Sequence, residues 1–113
     1  MTSSKDFIGT WRIVETELWD PKALDLVVPA TLTIGKDSQG RIAFIAFEAH
    51  IDYRLAVRDG QPAIEFSFHG FDEGDEVMGR AWAVLEGERL RGRLFFHQGD
   101  ESWFVADRQH KRK

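Results

Sequence analysis

The sequence predicts an all-β protein, an antiparallel eight-stranded up-and-down meander closing into a barrel. Three observations carry that expectation. Alternating apolar and polar residues recur along most of the chain, the period of two that belongs to strands with one buried face. Turn signals separate these stretches, the strongest being Asp59-Gly60 within Arg58-Asp-Gly-Gln61, where Asp-Gly marks a two-residue hairpin loop. With Gly87-Glu88 as a second tip, small residues fall opposite large ones, as a narrow, side-chain-filled barrel requires: Ala83 with Gly92, Ala81 with Leu94, Gly79 with Phe96. A two-sheet sandwich with the same meander is the alternative.

The totals fit a single domain spanning the 113 residues, large enough to bury roughly two-thirds of its unfolded surface. Nine Phe and four Trp supply a core and argue against a disordered chain. No cysteine is present, which excludes disulfides, thiolate metal sites and thiol nucleophiles. The start, Met1-Thr-Ser-Ser-Lys-Asp6, lacks the apolar run of a signal peptide, and no later run reaches membrane-spanning length, so a cytoplasmic protein with no membrane partner is expected. The net charge of -4 argues against a general nucleic-acid binder. The basic tail, residues 108–113, reads as a flexible, solvated end.

In chain order, the first strand is expected from Phe7 to Trp19. Neither of its faces is cleanly apolar, so a bulge near Val14 would switch the second half over and leave Glu15 and Glu17 in water. Asp20 is a fair N-cap and Pro21 suits a first helical position, which predicts a short helical lid over Lys22 to Val28 with Leu24, Val27 and Val28 apolar. Thr31 to Ile34 is a small strand, and Lys36 to Gly40 a turn. Residues 41–57 read as strand throughout, too long for one, and are broken near Glu48-Ala49-His50. The Asp59-Gly60 tip then sets Val57 against Pro62, Leu55 against Ile64, Tyr53 against Phe66 and Ile51 against Phe68 on the core side. His50 meets His69 and Arg54 meets Glu65 outside. The second hairpin puts Trp82 opposite Arg93 and Arg80 opposite Phe95, two cation–π candidates. The last strand, Ser102 to Ala106, is apolar on both faces, so its register stays open.

A meander gathers alternate tips at one rim. The tips His69 to Glu76 and His97 to Ser102 share that rim, joined by Trp19-Asp20, the lid and His50 if the break near Ala49 is right. The opposite rim receives plain turns. Scaffolded loops at one barrel end are where sites are usually built. His50, His69 and His97 with Asp72, Asp75 and Asp100 are candidate nitrogen and oxygen metal ligands, though no His-Glu-x-x-His run or full calcium-loop spacing is present. A histidine–carboxylate pair there would suit acid/base work; ordinary solvated surface is the plainer reading. No nucleophile is marked, since Ser102 near His97 lacks a third member and is expected to bond its own Gly99-Asp100 turn. No phosphate loop and no cofactor motif appear.

Gly9-Thr10-Trp11 at the head of the first strand resembles the Gly-x-Trp opening of lipocalins and the wider calycin barrels. The resemblance implies that Trp11 closes the barrel floor and that an Arg at the end of the last strand packs across it, a part Arg108 would take. The segments Trp11 to Asp20, Glu65 to Asp75 and Gly92 to Ser102 also resemble a group of small bacterial proteins of unassigned function. That implies a stand-alone bacterial domain and supplies no activity.

Three functions follow as expectations. The first is a small barrel binding an apolar or amphipathic ligand at the His69/His97 rim, with Trp19, Phe68, Phe71 and Phe96 lining the site. The second is an interaction module or homodimer using outward aromatics, Trp82 and Phe95 with Phe104 and Met78. The third and least supported is a metal-dependent or acid/base enzyme at the same rim.

Overall fold

The meander forms and closes on itself. The computed structural model describes residues 4–109. A single 3-10 turn, Ser4–Asp6, leads into β1 (Gly9–Thr16), and one helical turn, α1 (Pro21–Leu24), precedes β2 (Thr31–Ile34) and β3 (Gln39–Phe44). Then come β4 (Phe47–Arg58), β5 (Gln61–Asp72), β6 (Asp75–Glu86), β7 (Arg89–Phe96) and β8 (Glu101–Arg108). All neighbours are antiparallel, and β8 pairs with β1 to complete a closed barrel, which excludes the two-sheet sandwich. Closure satisfies both sheet edges at once. No helix among the described residues is long and apolar enough to cross a membrane.

Both hairpin registers are those the turn chemistry sets. Val57 faces Pro62, Ile51 faces Phe68 and His50 faces His69 across β4–β5, while Gly79 faces Phe96 and Ala83 faces Gly92 across β6–β7. Asp59 and Gly60 both have positive φ, 52° and 78°, the geometry that an Asp-Gly tip favours. The face is right but its cover runs out: Leu55 and Val57 point to the core side, yet are 40% and 72% exposed. β3 pairs with β4 only as far as Asp52, so the end of the β4–β5 hairpin projects past its neighbour.

Four expectations need correction. β1 is shorter than Phe7 to Trp19, although its bulge falls at Val14, where the pairing with β8 jumps from Ile13 to Glu15. That jump buries Thr16 and turns Glu15 and Glu17 to solvent. The helix is one turn, not Lys22 to Val28. Asp20 caps it by accepting from Lys22 N–H at 2.8 Å, but the Asp25 carboxylate accepts from Ala30 N–H at 2.7 Å and turns the chain down into β2. Only Leu24 is buried, and Val27 is 64% exposed. The break in residues 41–57 falls at Ile45-Ala46, not near Ala49. Ile45 sits there at φ 53°, a costly conformation for a β-branched residue. Its N–H bonds to Leu24 O at 3.0 Å, and Phe44 and Phe47 on either side stack 5.1 Å apart, so tertiary contacts hold a turn that no local residue signals. Phe104, finally, faces inward and is buried.

Trp11 and Arg108 close the floor. Trp11 is fully buried and donates from Nε1 to Phe7 O at 2.8 Å, while the Arg108 guanidinium lies 4.2 Å from the indole centroid. Arg108 also donates to Asp6 O and to Glu88, both at 2.6 Å, which makes it the last residue of β8 and not part of a loose tail; residues 110–113 lie outside the described residues.

Side chains fill the interior between the two ends. At Gly79 the obstacle to a side chain is an aromatic ring as well as backbone. A Cβ there would stand 2.1 Å from Phe95 O and 2.5 Å from Phe68 Cζ, and the Phe68 and Phe96 rings pack 5.1 Å apart across it. Gly79→Ala is therefore expected to cost about 1–3 kcal/mol through overpacking, read as a lower urea midpoint by circular dichroism. A second prediction concerns pH. Tyr53 donates to Gly35 O at 2.6 Å, and burial, then the charge of Asp37, holds its phenol above the ordinary value of 10.0. Because the folded value is the higher one, this contribution is complete below about pH 10 and is lost as pH climbs through the raised value. Tyr53→Phe should lose that alkaline decline in urea titrations across pH 9–12.

Candidate functional site

The rim that gathers the functional loops is built from the end of β1. After Thr16 the chain must bend inward to deliver Trp19, and two buried hydroxyls hold the bend. Thr16 Oγ1 accepts from Trp19 N–H and donates to Trp19 O, both at 2.9 Å. Ser102 Oγ accepts from Glu17 N–H at 3.1 Å and Leu18 N–H at 3.3 Å, and donates to Trp103 O at 2.9 Å. Ser102 thus serves a segment 84–85 residues away, not its own Gly99-Asp100 turn. Thr16 and Ser102 are both buried, and both do the same job.

The bend sets Trp19 into an aromatic plug. Its ring lies 4.9 Å from Phe44 on the α1 side and 6.3 Å from Phe96 on the other. Phe96 continues to Phe47 and Phe68, each at 5.1 Å. Successive tilted and edge-to-face contacts close the barrel end with hydrocarbon. Phe68 and Phe96 are therefore parts of the core wall, and only the outer edge of the Trp19–Phe96 contact borders a site.

That border is a groove of about 410 Å³ between the β5–β6 and β7–β8 tips. Trp19, Phe96, Val77 and Met78 form its apolar lining; Asp72, Glu76, Asp100 and His97 supply the polar groups. His97 is fixed at the backbone, its N–H donating to Met78 O at 2.7 Å, and its ring makes no hydrogen bond among the described residues. The loop turns through Gln98 at φ 54° and is tied by Gly99 N–H to Phe96 O at 3.0 Å. The groove carries three carboxylates and no Lys or Arg.

The other expected site residues lie elsewhere. His69 and Phe71 follow the inward Phe68 by one and three residues, so strand alternation turns them to the outer wall. His69 bonds Glu76 across β5–β6, and its ring lies 6.5 Å from that of Phe71, which is 55% exposed. His69 and His97 still border one shallow exterior depression, on either side of Met78. His50 is also outward and bonds Gln39, four residues inside β4 and away from the rim because the chain break comes earlier than expected. The metal candidates His50, His69, His97, Asp72, Asp75 and Asp100 consequently do not converge: no group of three or more such side chains among the described residues is placed to share a cation.

On the outer wall Trp82 and Phe95 have the expected cross-strand neighbours, but the stacked cation differs. Arg58 lies 3.8 Å from the Trp82 centroid, whereas Arg93 pairs with Glu101 at 2.7 Å and Glu17 at 3.8 Å.

Sequence reasoning located the rim and missed the hydroxyls that set it. The single hint was a serine heading an otherwise apolar strand. Ser102→Ala takes from Leu18 N–H its acceptor, while Glu17 N–H keeps Trp103 O at 3.1 Å; the change is expected to cost about 1–3 kcal/mol, with faster amide exchange at Leu18 first. Comparison of the chain with protein-family models, with curated proteins and with solved structures gives no match.

Proposed function

We propose that this barrel is a non-catalytic binding protein for a small amphipathic molecule, held on its rim and not in a calyx. The observation that carries the reading is the groove beside Trp19, where an apolar lining of Trp19, Phe96 and Met78 is ringed by Asp72, Glu76 and Asp100. Apolar surface with a few convergent polar groups is the ordinary composition of a small-ligand site. A volume of about 410 Å³ lies within the usual range of roughly 300–1,000 Å³. The Gly-x-Trp start and the Trp11–Arg108 contact support placing the fold among calycin-like barrels, whose cavity is here occupied by the protein's own aromatic rings.

The charge balance selects the ligand's head group. Three carboxylates, of which Glu76 already bonds His69, and no neighbouring Lys or Arg favour a cationic head at Asp72 and Asp100, with the His97 ring free to hydrogen-bond and the Trp19–Phe96 edge taking the hydrocarbon.

n-Octylamine is a suitable probe and octanoate its control. The amine should shift the Trp19 indole N–H resonance saturably, and octanoate should not. Asp72→Asn and Asp100→Asn should each weaken the amine about 1.4- to fivefold, the worth of an exposed ion pair of ~0.2–1 kcal/mol. Equal binding of amine and carboxylate would remove the electrostatic argument, and no saturable shift with either would remove the site.

A further inference from the structure

The arginines of the outer wall divide unequally. Among the described residues, Arg12, Arg41, Arg89, Arg91, Arg93 and Arg108 pair with carboxylates, and Arg58 stacks on Trp82. The two left with neither a carboxylate nor a ring are Arg54 and Arg80, and both border one groove of about 580 Å³ on the exterior of β4–β7. Arg80 has Ser67 and Phe95 directly across its two neighbouring strands, so no acid faces it in register. Ser67 is the smallest side chain in its row, which runs Asp52, Ser67, Arg80, Phe95, and the low point it leaves creates the concavity.

The acids beside this groove are also uncommitted. Glu65 lies opposite Arg54 but makes no ion pair with it, and Asp52 receives only a 3.4 Å contact from Gln39 Nε2. Trp82 and Phe95 add flat apolar walls, the indole also stacked by Arg58 at 3.8 Å. Two free guanidiniums and two free carboxylates around an uncharged floor match a molecule bearing both charges. A simple anion would meet Asp52 and Glu65, and a simple cation would meet Arg54 and Arg80.

We infer that this exterior groove is a second binding site, for a zwitterion with a flat apolar body such as an aromatic amino acid. Its carboxylate would lie on Arg80 and Arg54, its ammonium on Glu65 and Asp52, and its ring against Trp82 and Phe95. The site stands apart from the rim groove and shares no lining residue with it.

L-phenylalanine is the probe, with 3-phenylpropionate and phenethylamine as its singly charged counterparts, read on the Trp82 indole N–H resonance assigned with Trp82→Phe. The expected result is a saturable shift with L-phenylalanine and binding about tenfold weaker for each counterpart, the loss of one charge-assisted contact. Arg80→Gln and Glu65→Gln, both at exposed positions, should each weaken L-phenylalanine to the same degree and leave the circular dichroism spectrum and the rim titration with n-octylamine unchanged. Absence of a saturable Trp82 shift, or an undiminished shift in Arg80→Gln, overturns the site. Equal affinity for 3-phenylpropionate overturns the zwitterion assignment. A dimer by sedimentation that Trp82→Ala dissolves gives the surface to a second copy of the chain and overturns the proposal.

Discussion

The space inside the barrel governs everything else in this molecule. Eight strands enclose a volume that side chains alone can fill, and this chain fills it with Trp11, Phe47, Phe66, Phe68 and a set of aliphatic residues. Gly79 stands where any Cβ would strike Phe68, so large residues on one strand dictate glycine or alanine on the next. A core filled by its own side chains leaves binding to the exterior. The small residues that permit the packing are thus also the reason the concave surfaces lie at the rim and on the outer wall.

Each end of the barrel is closed by an aromatic residue whose position depends on polar contacts. At the floor, Trp11 is fixed by its bond to Phe7 O and by Arg108, which ties β8 to the segment before β1. At the rim, Trp19 is fixed by Thr16 and, through Glu17 and Leu18, by Ser102 on β8. Both closures therefore join the first strand to the last, the pairing that turns a meander into a barrel. A buried hydroxyl with all its partners specifies one chain path, because any other path strands a donor or an acceptor.

The fold was legible wherever local chemistry and the long-range structure agree. Asp59-Gly60 dictates a tip, and from that tip twelve β4–β5 pairs follow by counting, His50 with His69 among them. The bulge at Val14 was legible too, because strict alternation leaves neither face of the first strand cleanly apolar. Ile45-Ala46 was not legible. A β-branched residue at positive φ is locally disfavoured, and it is held by Leu24 O and two phenylalanines that are distant in sequence or ambiguous in face. The candidate site was half legible for the same reason. Meander order placed Trp19, Phe96 and His97 together, but the rim location of His69 and Phe71 ignored the alternation that sends them outward. Ser102 offered only its place at the head of an apolar strand, since its partners come from the other end of the chain.

The segment read as a lid acts as a buttress. Leu24 is buried, its carbonyl accepts from Ile45, and the strained turn it steadies presents Phe44 to Trp19. Trp19 is therefore braced from the α1 side and borders the groove on the Phe96 side. A movable lid would need few buried contacts and loosely held backbone, whereas this one is anchored by an N-cap, a buried leucine and the Asp25 bonds to Arg12 and Ala30. The opposite groove wall is the His97–Asp100 loop, whose backbone is tied through Met78 O, Phe96 O and Phe96 N–H and which carries an imidazole and a carboxylate. Braced hydrocarbon on one side and polar side chains on a tied loop on the other is the division of labour that lets a small site orient an amphipathic ligand.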